Sequence, residues 1–406
     1  MSTTVADMPC IQGAEGCQAR PWIRLDRNEL AGAFGDIGTD LPLLVGMVLA
    51  SGASGLQVFV VFGTLQILSA LIYGIPMPVQ PLKAVAALVI AQGIAAPVIF
   101  GAGLAIGVIM LILSLTGLLT LLARLVPVAV VRGMQLGLGL KLMQMAVLHY
   151  IPAHGAPGLW LAGAGMVLAL LFRTNRRWPA ALLVIGLGLV YGLSTGFHEL
   201  VELVAASPGP LVSTGFWLGL VSPGEIWLGL LLLALPQIPL SLGNSILATA
   251  QLAEDWFPER RITVRRIGLT YALLNLMAAP LHGFPVCHGS GGMAGHYTFG
   301  GRTGGSVLFY GLLFIALGGL AGDRSGVLLL LFPLPMLGVL LLYEGAALAE
   351  RCRDLRASPA AMVTAGGVAL AALLLPYGFL IGMTVGTLLG RENGRRGRGR
   401  GWEGER

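Results

Sequence analysis

Charge is what this chain has least of. Of 406 residues, 11% are Asp, Glu, Lys or Arg, against roughly 25% in an ordinary soluble domain, and the mean hydropathy is +0.83. So little polar surface cannot coat a water-soluble fold, and the class that remains is a polytopic protein of the lipid bilayer. Cysteine is scarce as well. The four present, Cys10, Cys17, Cys287 and Cys352, show no CxxC spacing, so neither a disulfide framework nor a zinc site is expected. No HExxH or Walker pattern occurs, and the GxSxG spacing at Gly192-Leu193-Ser194-Thr195-Gly196 ends an apolar run and not a strand, so no such pattern supports catalysis or direct ATP drive. No catalytic residue, cofactor or metal is therefore expected. Residues 1–20 lack the apolar run of a signal peptide, and no cleaved leader is expected.

The basic balance, a net charge of +6 with a pI near 9.4, does not point to nucleic acid. Most Arg residues sit in short loops and in the tails, where they report membrane topology. The 60 glycines are dispersed among Leu, Val and Ala, the pattern of closely packed membrane helices.

Counting about 20 apolar residues per crossing predicts an all-α membrane protein with fourteen spans. These are 30–50, 56–75, 79–95, 97–123, 127–149, 158–172 and 178–194, then 225–250, 266–282, 286–299, 304–321, 326–349, 359–375 and 376–390. Placing both ends inside puts Arg20, Arg24, Arg27, Arg124, Arg173, Arg176, Arg177, Arg260, Arg261, Arg265, Arg266, Arg302, Arg351, Arg353, Arg356 and the Arg-rich end from Arg391 on one side. Only Arg324 falls on the other, as the positive-inside rule requires. The organisation expected is a cytoplasmic tail at 1–28, a seven-span repeat at 29–194, an outside loop at 195–224, a second repeat at 225–390 and a basic cytoplasmic tail at 391–406. An odd number of spans per half inverts the second repeat. That is the plan of many secondary transporters, whose substrate lies where discontinuous helices of the two repeats meet.

The third and tenth spans are the interrupted ones. Pro76, Pro78 and Pro81 disfavour regular helix up to Pro81, which itself suits a first helical position. From there to Ile94 a helix would run only about 21 Å, short of a core of about 30 Å. In the later stretch Pro285 breaks the chain, and Gly289-Ser290-Gly291-Gly292 lets backbone N–H groups approach a ligand. Each helix then begins in mid-membrane with unpaired N–H groups and a partial positive charge. Two such ends meeting at the midplane would hold an anion.

Polar residues in these apolar runs are the candidate site. Lys83 lies at the start of the first half-helix and needs a counter-charge, which Asp36 or Asp40 could supply. Two readings stand open for that pairing, a structural ion pair or a cation in the anion site with the carboxylate carrying a proton. Gln237, Ser241 and Asn244 follow a helical spacing of four and three, which puts them on one face, either as interhelical glue or as substrate contacts. Thr39, Gln80, Cys287, His288, Gly289 and Ser290 complete the expected substrate-binding set. Adjacent Cys287 and His288 at a helix start do not aim at one point, which argues against an intramembrane thiol enzyme. A passive channel is disfavoured by the inverted repeat. Arg132, Lys141 and Glu344 are expected to pair or snorkel.

At these places the chain resembles the molybdate transporter family, a branch related to the sulfate permeases. PVQPLKAVAA from Pro78 to Ala87 is similar to the family's PVQPMKAIAA, and PVCHGSGGMAGHYTFGGR from Pro285 to Arg302 to its PVCHGAGGLAAQYRFGAR. GDIGTDLP from Gly35 and PQIPLSLGN from Pro236 also look like family segments. Leu82 stands where the family has Met, Ser290 where it has Ala, His296 where it has Gln and Thr298 where it has Arg. Small apolar exchanges occur at Val85, Met293, Gly295 and Gly301. Ser290 adds a donor beside the expected site and Thr298 removes a cation, so both bear on the choice of substrate. The resemblance implies the fold of the uracil and sulfate permeases, with a core domain moving against a gate domain. It also implies import of a tetrahedral dianion such as molybdate across the cell membrane, with sulfate as the alternative and a nucleobase behind it. Relatives of this fold often pair, which makes a homodimer an expectation to test.

Overall fold

The computed structural model describes residues 21–119, 121, 127–172, 180–205, 221–322, 333–375, 378 and 381–388. Outside the described residues lie the tail 1–20 with Cys10 and Cys17, Arg124, Arg173, Arg176, Arg177 and Arg324, residues 206–220 of the expected loop, part of the expected span 376–390, and the end from Arg391.

The first half runs through helices α1 (Arg27–Ala33), α2 (Ile37–Ser51) and α3 (Gly55–Tyr73), strand β1 (Val79–Pro81), and helices α4 (Lys83–Gln92), α5 (Ala96–Thr116), α6 (Val128–Met145), α7 (Gly155–Leu171) and α8 (Ala180–Ala205). The second half follows with α9 (Pro223–Gly229), α10 (Leu235–Leu240), α11 (Ala248–Trp256), α12 (Val264–Ala278), strand β2 (Val286–His288), α13 (Ser290–Thr298), α14 (Gly305–Ala321), α15 (Leu334–Glu350) and α16 (Pro359–Leu374).

The packing obeys an exchange of halves. Helix α3 lies along α14 and α12 along α5, while α1 meets α14 and α9 meets α5. Each repeat thus places its first and second segments against the fourth of the other, which interlocks the two into a core unit. A gate unit stands beside it, with α6 between α15 and α16, and α7 against α8 and α15. Small residues permit the crossings. A Cβ on Gly63 of α3 would come within 2.4 Å of the Gly311 carbonyl of α14, and one on Gly311 within 2.6 Å of the Gly63 carbonyl, so the two backbones touch as small-residue membrane interfaces allow.

By length and composition, three described stretches can cross a membrane: α3, α5 and the run Val128–Leu171. The pair α1 and α2, bent by 42°, makes a fourth. The apolar parts of the other described helices are shorter, as with Leu183–Gly196 within α8. The run expected at 225–250 is helical from α9 through α10 to α11, widened by π turns at Leu230–Ala234 and Ser241–Leu247. Pro236 and Pro239 remove backbone donors there, which opens the ladder. The helix expected to end at 194 instead continues to Ala205. The stretch after Phe197 holds neither Gly nor Pro to stop it, and the apolar part of this helix ends at Gly196.

Candidate functional site

The two proline-broken stretches meet. Strands β1 and β2 pair antiparallel, with Val79 opposite His288, Gln80 opposite Cys287 and Pro81 opposite Val286. Each strand feeds a half-helix, α4 through Leu82 in extended conformation and α13 through extended Gly289. At 10 and 9 residues these helices rise about 15 and 14 Å, half of a core of about 30 Å. The register makes Lys83 and Ser290 equivalent, each the first residue of its half-helix and each half-buried. A Cβ on the following Gly291 would meet nothing within 4 Å, so the start of α13 borders open space.

Two amides hold the strands in place. Gln66 of α3 donates to the Val79 carbonyl and accepts from the Val79 N–H at 2.8 Å. Asn275 of α12 donates to the Val286 carbonyl at 2.7 Å and accepts from its N–H at 2.9 Å. Gln66 and Asn275 are each the twelfth residue of their helix, so the clamp is built twice, once per repeat. Buried strand edges need such partners, because water cannot supply them in the bilayer. The sequence reading missed both amides; an amide at the twelfth position of the helix preceding each proline-broken stretch was the available signal.

The candidate residues divide between the site and its scaffold. On the face shared by Gln80 and Cys287, Gln80 Nε2 donates to Asp36 Oδ2 at 2.6 Å. The Thr39 hydroxyl donates to Asp36 Oδ1 at 2.7 Å and also lies 3.0 Å from the Asp36 carbonyl. Asp40, fully buried, accepts from Tyr310 Oη of α14 at 3.1 Å. Asp36, Asp40 and Lys83 all lie within electrostatic reach of the Cys287 thiol, which rests against the Ser245 hydroxyl. Gly289 has no room for a side chain, since a Cβ there would fall 1.6 Å from Gln80 Oε1.

Gln237 caps the other half-helix. Its Oε1 accepts from the Ala84 N–H at 3.0 Å, and its Nε2 donates to Ser241 Oγ at 3.1 Å, which in turn meets Tyr271 Oη at 2.8 Å. The helical face expected for Gln237 and Ser241 is present, and it occupies one of the amides at the start of α4. The Asn244 side chain lies outside what is described. His288 turns to the opposite face of the strand pair, between Thr270 Oγ1 at 3.1 Å and the Pro78 carbonyl at 3.3 Å, with its ring edge-on to Tyr73. The structure thus gives it a scaffold position, tying β2 to the loop before β1.

Glu29 was not singled out from the sequence. It is buried in α1, and its carboxylate accepts from the N–H groups of Arg302, Thr303 and Ser306 at 3.0, 2.9 and 3.0 Å. It therefore caps the start of α14 from the other repeat. Arg132 pairs with Asp354 across the gate unit, at 2.8 Å from its Nε.

Two half-helices joined amino end to amino end across a strand pair, between interlocked inverted repeats of apolar helices, define a membrane transporter. The transmembrane domain of the cyanobacterial bicarbonate transporter BicA superposes with a TM-score of 0.58 at 16% identity, over 88% of this chain and 97% of that one. Murine Slc26a9, an anion transporter solved in the inward-facing state, gives 0.67 at 13% identity over 93% and 69%. Within that class the chain belongs to the molybdate transporter family, whose profile, described as molybdate transporter of MFS superfamily, matches residues 28–142 and 229–348. It is 31% identical over 382 residues to molybdate transporter 1 of Arabidopsis thaliana, covering 82% of both chains. It is 30% identical over 410 residues to molybdate transporter 2 of the same plant, covering 89% of this chain and 87% of that one. The relatives are transporters, not enzymes, and the chain is a transporter of anions. The two profile blocks carry both half-helices. The architecture is not that of MFS carriers, whose two halves are related by an axis along the membrane normal; here β1 and β2 run antiparallel and the repeats are inverted.

Proposed function

We propose that the chain is a secondary transporter that imports molybdate, or a similar tetrahedral oxyanion, and holds it between the amino ends of α4 and α13. The observation that carries this reading is the strand register, which brings Lys83 and Ser290 to equivalent places at two helix starts. Each helix end contributes about half a positive charge, Lys83 adds a full one, and Ser290 with the amides around Gly291 offers donors to an acceptor-rich ligand. A dianion with four oxygens can use donors arriving from both sides; a neutral nucleobase gains little from this field. The names of the plant relatives support molybdate as the substrate. The distribution of Arg supports both termini on the cytoplasmic side of the cell membrane, with the repeats bounded as in the sequence reading.

The test is a binding measurement on the purified protein with molybdate, tungstate, sulfate and uracil, followed by uptake into proteoliposomes. Molybdate should bind and uracil should not. Lys83→Ala and Ser290→Ala should each lower uptake by about tenfold or more, since a charge-assisted hydrogen bond contributes about 1.5–3 kcal/mol. Saturable uptake left unchanged in both variants would remove the site from this place. Stronger competition by sulfate than by molybdate would reassign the substrate.

A further inference from the structure

One carboxylate already lies where the anion is expected. A Cβ built on Gly292, in the first turn of α13, would come within 2.3 Å of Asp36 Oδ2 and 2.8 Å of Gln80 Nε2. The Asp36 carboxylate therefore packs against the amino end of that half-helix, held by Gln80 at 2.6 Å on one oxygen and by Thr39 at 2.7 Å on the other. Only a glycine at 292 leaves it this room. Asp36 itself belongs to the opposite repeat, at the residue before α2.

We propose that Asp36 is a tethered anion that occupies the amino end of α13 when substrate is absent, and that it takes up a proton and yields that place when an oxyanion binds, so that import carries protons. The proposal rests on the site assigned under Proposed function. Charge bookkeeping supports it. Asp36 and Asp40 contribute two negative charges, Lys83 one positive, and the two helix ends about half a charge each, which leaves the empty site close to neutral. A dianion added to that arrangement leaves an excess of two negative charges in a poorly hydrated space, and ionised carboxylates beside an oxyanion disfavour each other. A proton on Asp36 Oδ2 removes one of those charges and turns the carboxylate from a competitor into a hydroxyl donor. That proton comes from the outside water and leaves to the inside water with the substrate.

The described groups around Asp36 include Thr39 and Asp40 on α2, Gln80 on β1, Lys83 at the start of α4, Cys287 on β2 and Tyr310 on α14, whose hydroxyl donates to Asp40. His296, farther along α13, sets its ring against Tyr310. Glu29 is engaged with the start of α14. Lys83 is the one cation among them. The Asp36 carboxylate borders Gly292 in the first turn of α13.

The experiment measures molybdate affinity of the purified full chain from pH 6 to 8, and uptake into proteoliposomes under an acid-outside gradient with the potential clamped by valinomycin and potassium. With one linked proton, Kd should rise about tenfold per pH unit where Asp36 is ionised in the free protein. An acid-outside gradient should accelerate uptake severalfold, and a protonophore should abolish that gain. Asp36→Asn should bind molybdate with a flat pH profile and ignore the gradient. Thr39→Val removes a donor that favours the ionised carboxylate, so tight binding should extend to higher pH in that variant. Molybdate binding that is flat with pH in the wild type, gradient-driven uptake retained in Asp36→Asn, or a sodium gradient substituting for the proton gradient would each overturn the coupling while leaving the site. No molybdate binding at any pH would overturn the site itself.

Discussion

Replacing Asn275 by Leu is the sharpest test of how the site is held. The side chains share branching and heavy-atom count, so no cavity is opened; the main change is lost hydrogen bonding, and the extra bulk of two methyl groups adds to the cost. Asn275 serves both backbone groups of Val286, at 2.9 and 2.7 Å, and its amide also reaches the Tyr271 carbonyl at 2.8 Å. The residue is fully buried, so water cannot replace it. Each orphaned buried polar group costs about 1–3 kcal/mol, which sets the loss at roughly 2–6 kcal/mol for the two groups of Val286. Strand β2 carries Cys287 and leads into α13, so its loosening should reach the ligand. The assay is thermal unfolding of the detergent-purified protein, with and without saturating molybdate. The melting temperature should fall by several degrees, and the stabilisation by molybdate should shrink, because that stabilisation depends on the ratio of ligand concentration to Kd. Gln66→Leu should behave the same way through Val79. A melting temperature and a molybdate shift both equal to wild type would refute the claim that side-chain amides hold these strands.

Glu29→Ala removes a carboxylate that accepts from three N–H groups at the start of α14; a loss of roughly 1–3 kcal/mol should appear as a lower melting temperature, and Glu29→Gln should recover part of it. Gly35→Ala would place a Cβ 2.3 Å from the Gly295 carbonyl carbon, so it should cost about 1–3 kcal/mol through backbone displacement and depress uptake, measured in the same vesicles. Arg132→Ala breaks a pair whose side chains are 25% and 45% exposed, and such partly exposed pairs contribute about 0–1 kcal/mol; its uptake should match wild type within twofold.

Local sequence carried much of the candidate site because proline and glycine act on their own neighbours. Pro78, Pro81 and Pro285 deny helix before the two starts, and the equivalence of Lys83 and Ser290 follows once Val79-Gln80 is set against Val286-Cys287. Other assignments were not legible in that way. His288 sits in the same motif as Gly289 yet faces Thr270 and Pro78, a choice made by which side of the strand pair is filled by Gln80. Gln237 was visible as a polar residue in an apolar run, but its role as the cap of Ala84 depends on α10 arriving at α4. Glu29 read as the beginning of a span, and its three partners lie more than 270 positions away.

What the chain determines by itself is its solvent and its breaks. Too few charges exist to coat it, so its helices belong in lipid, and proline sterics with missing N–H groups interrupt two helices whatever surrounds them. Only the tertiary structure decides that the two interruptions face each other, in antiparallel register, with Asp36 of one repeat against Gly292 of the other. That arrangement depends on close crossings such as Gly35 on Gly295, between backbones some 260 residues apart. Packing of that kind has no local signature, because it is a property of two surfaces together and of neither segment alone.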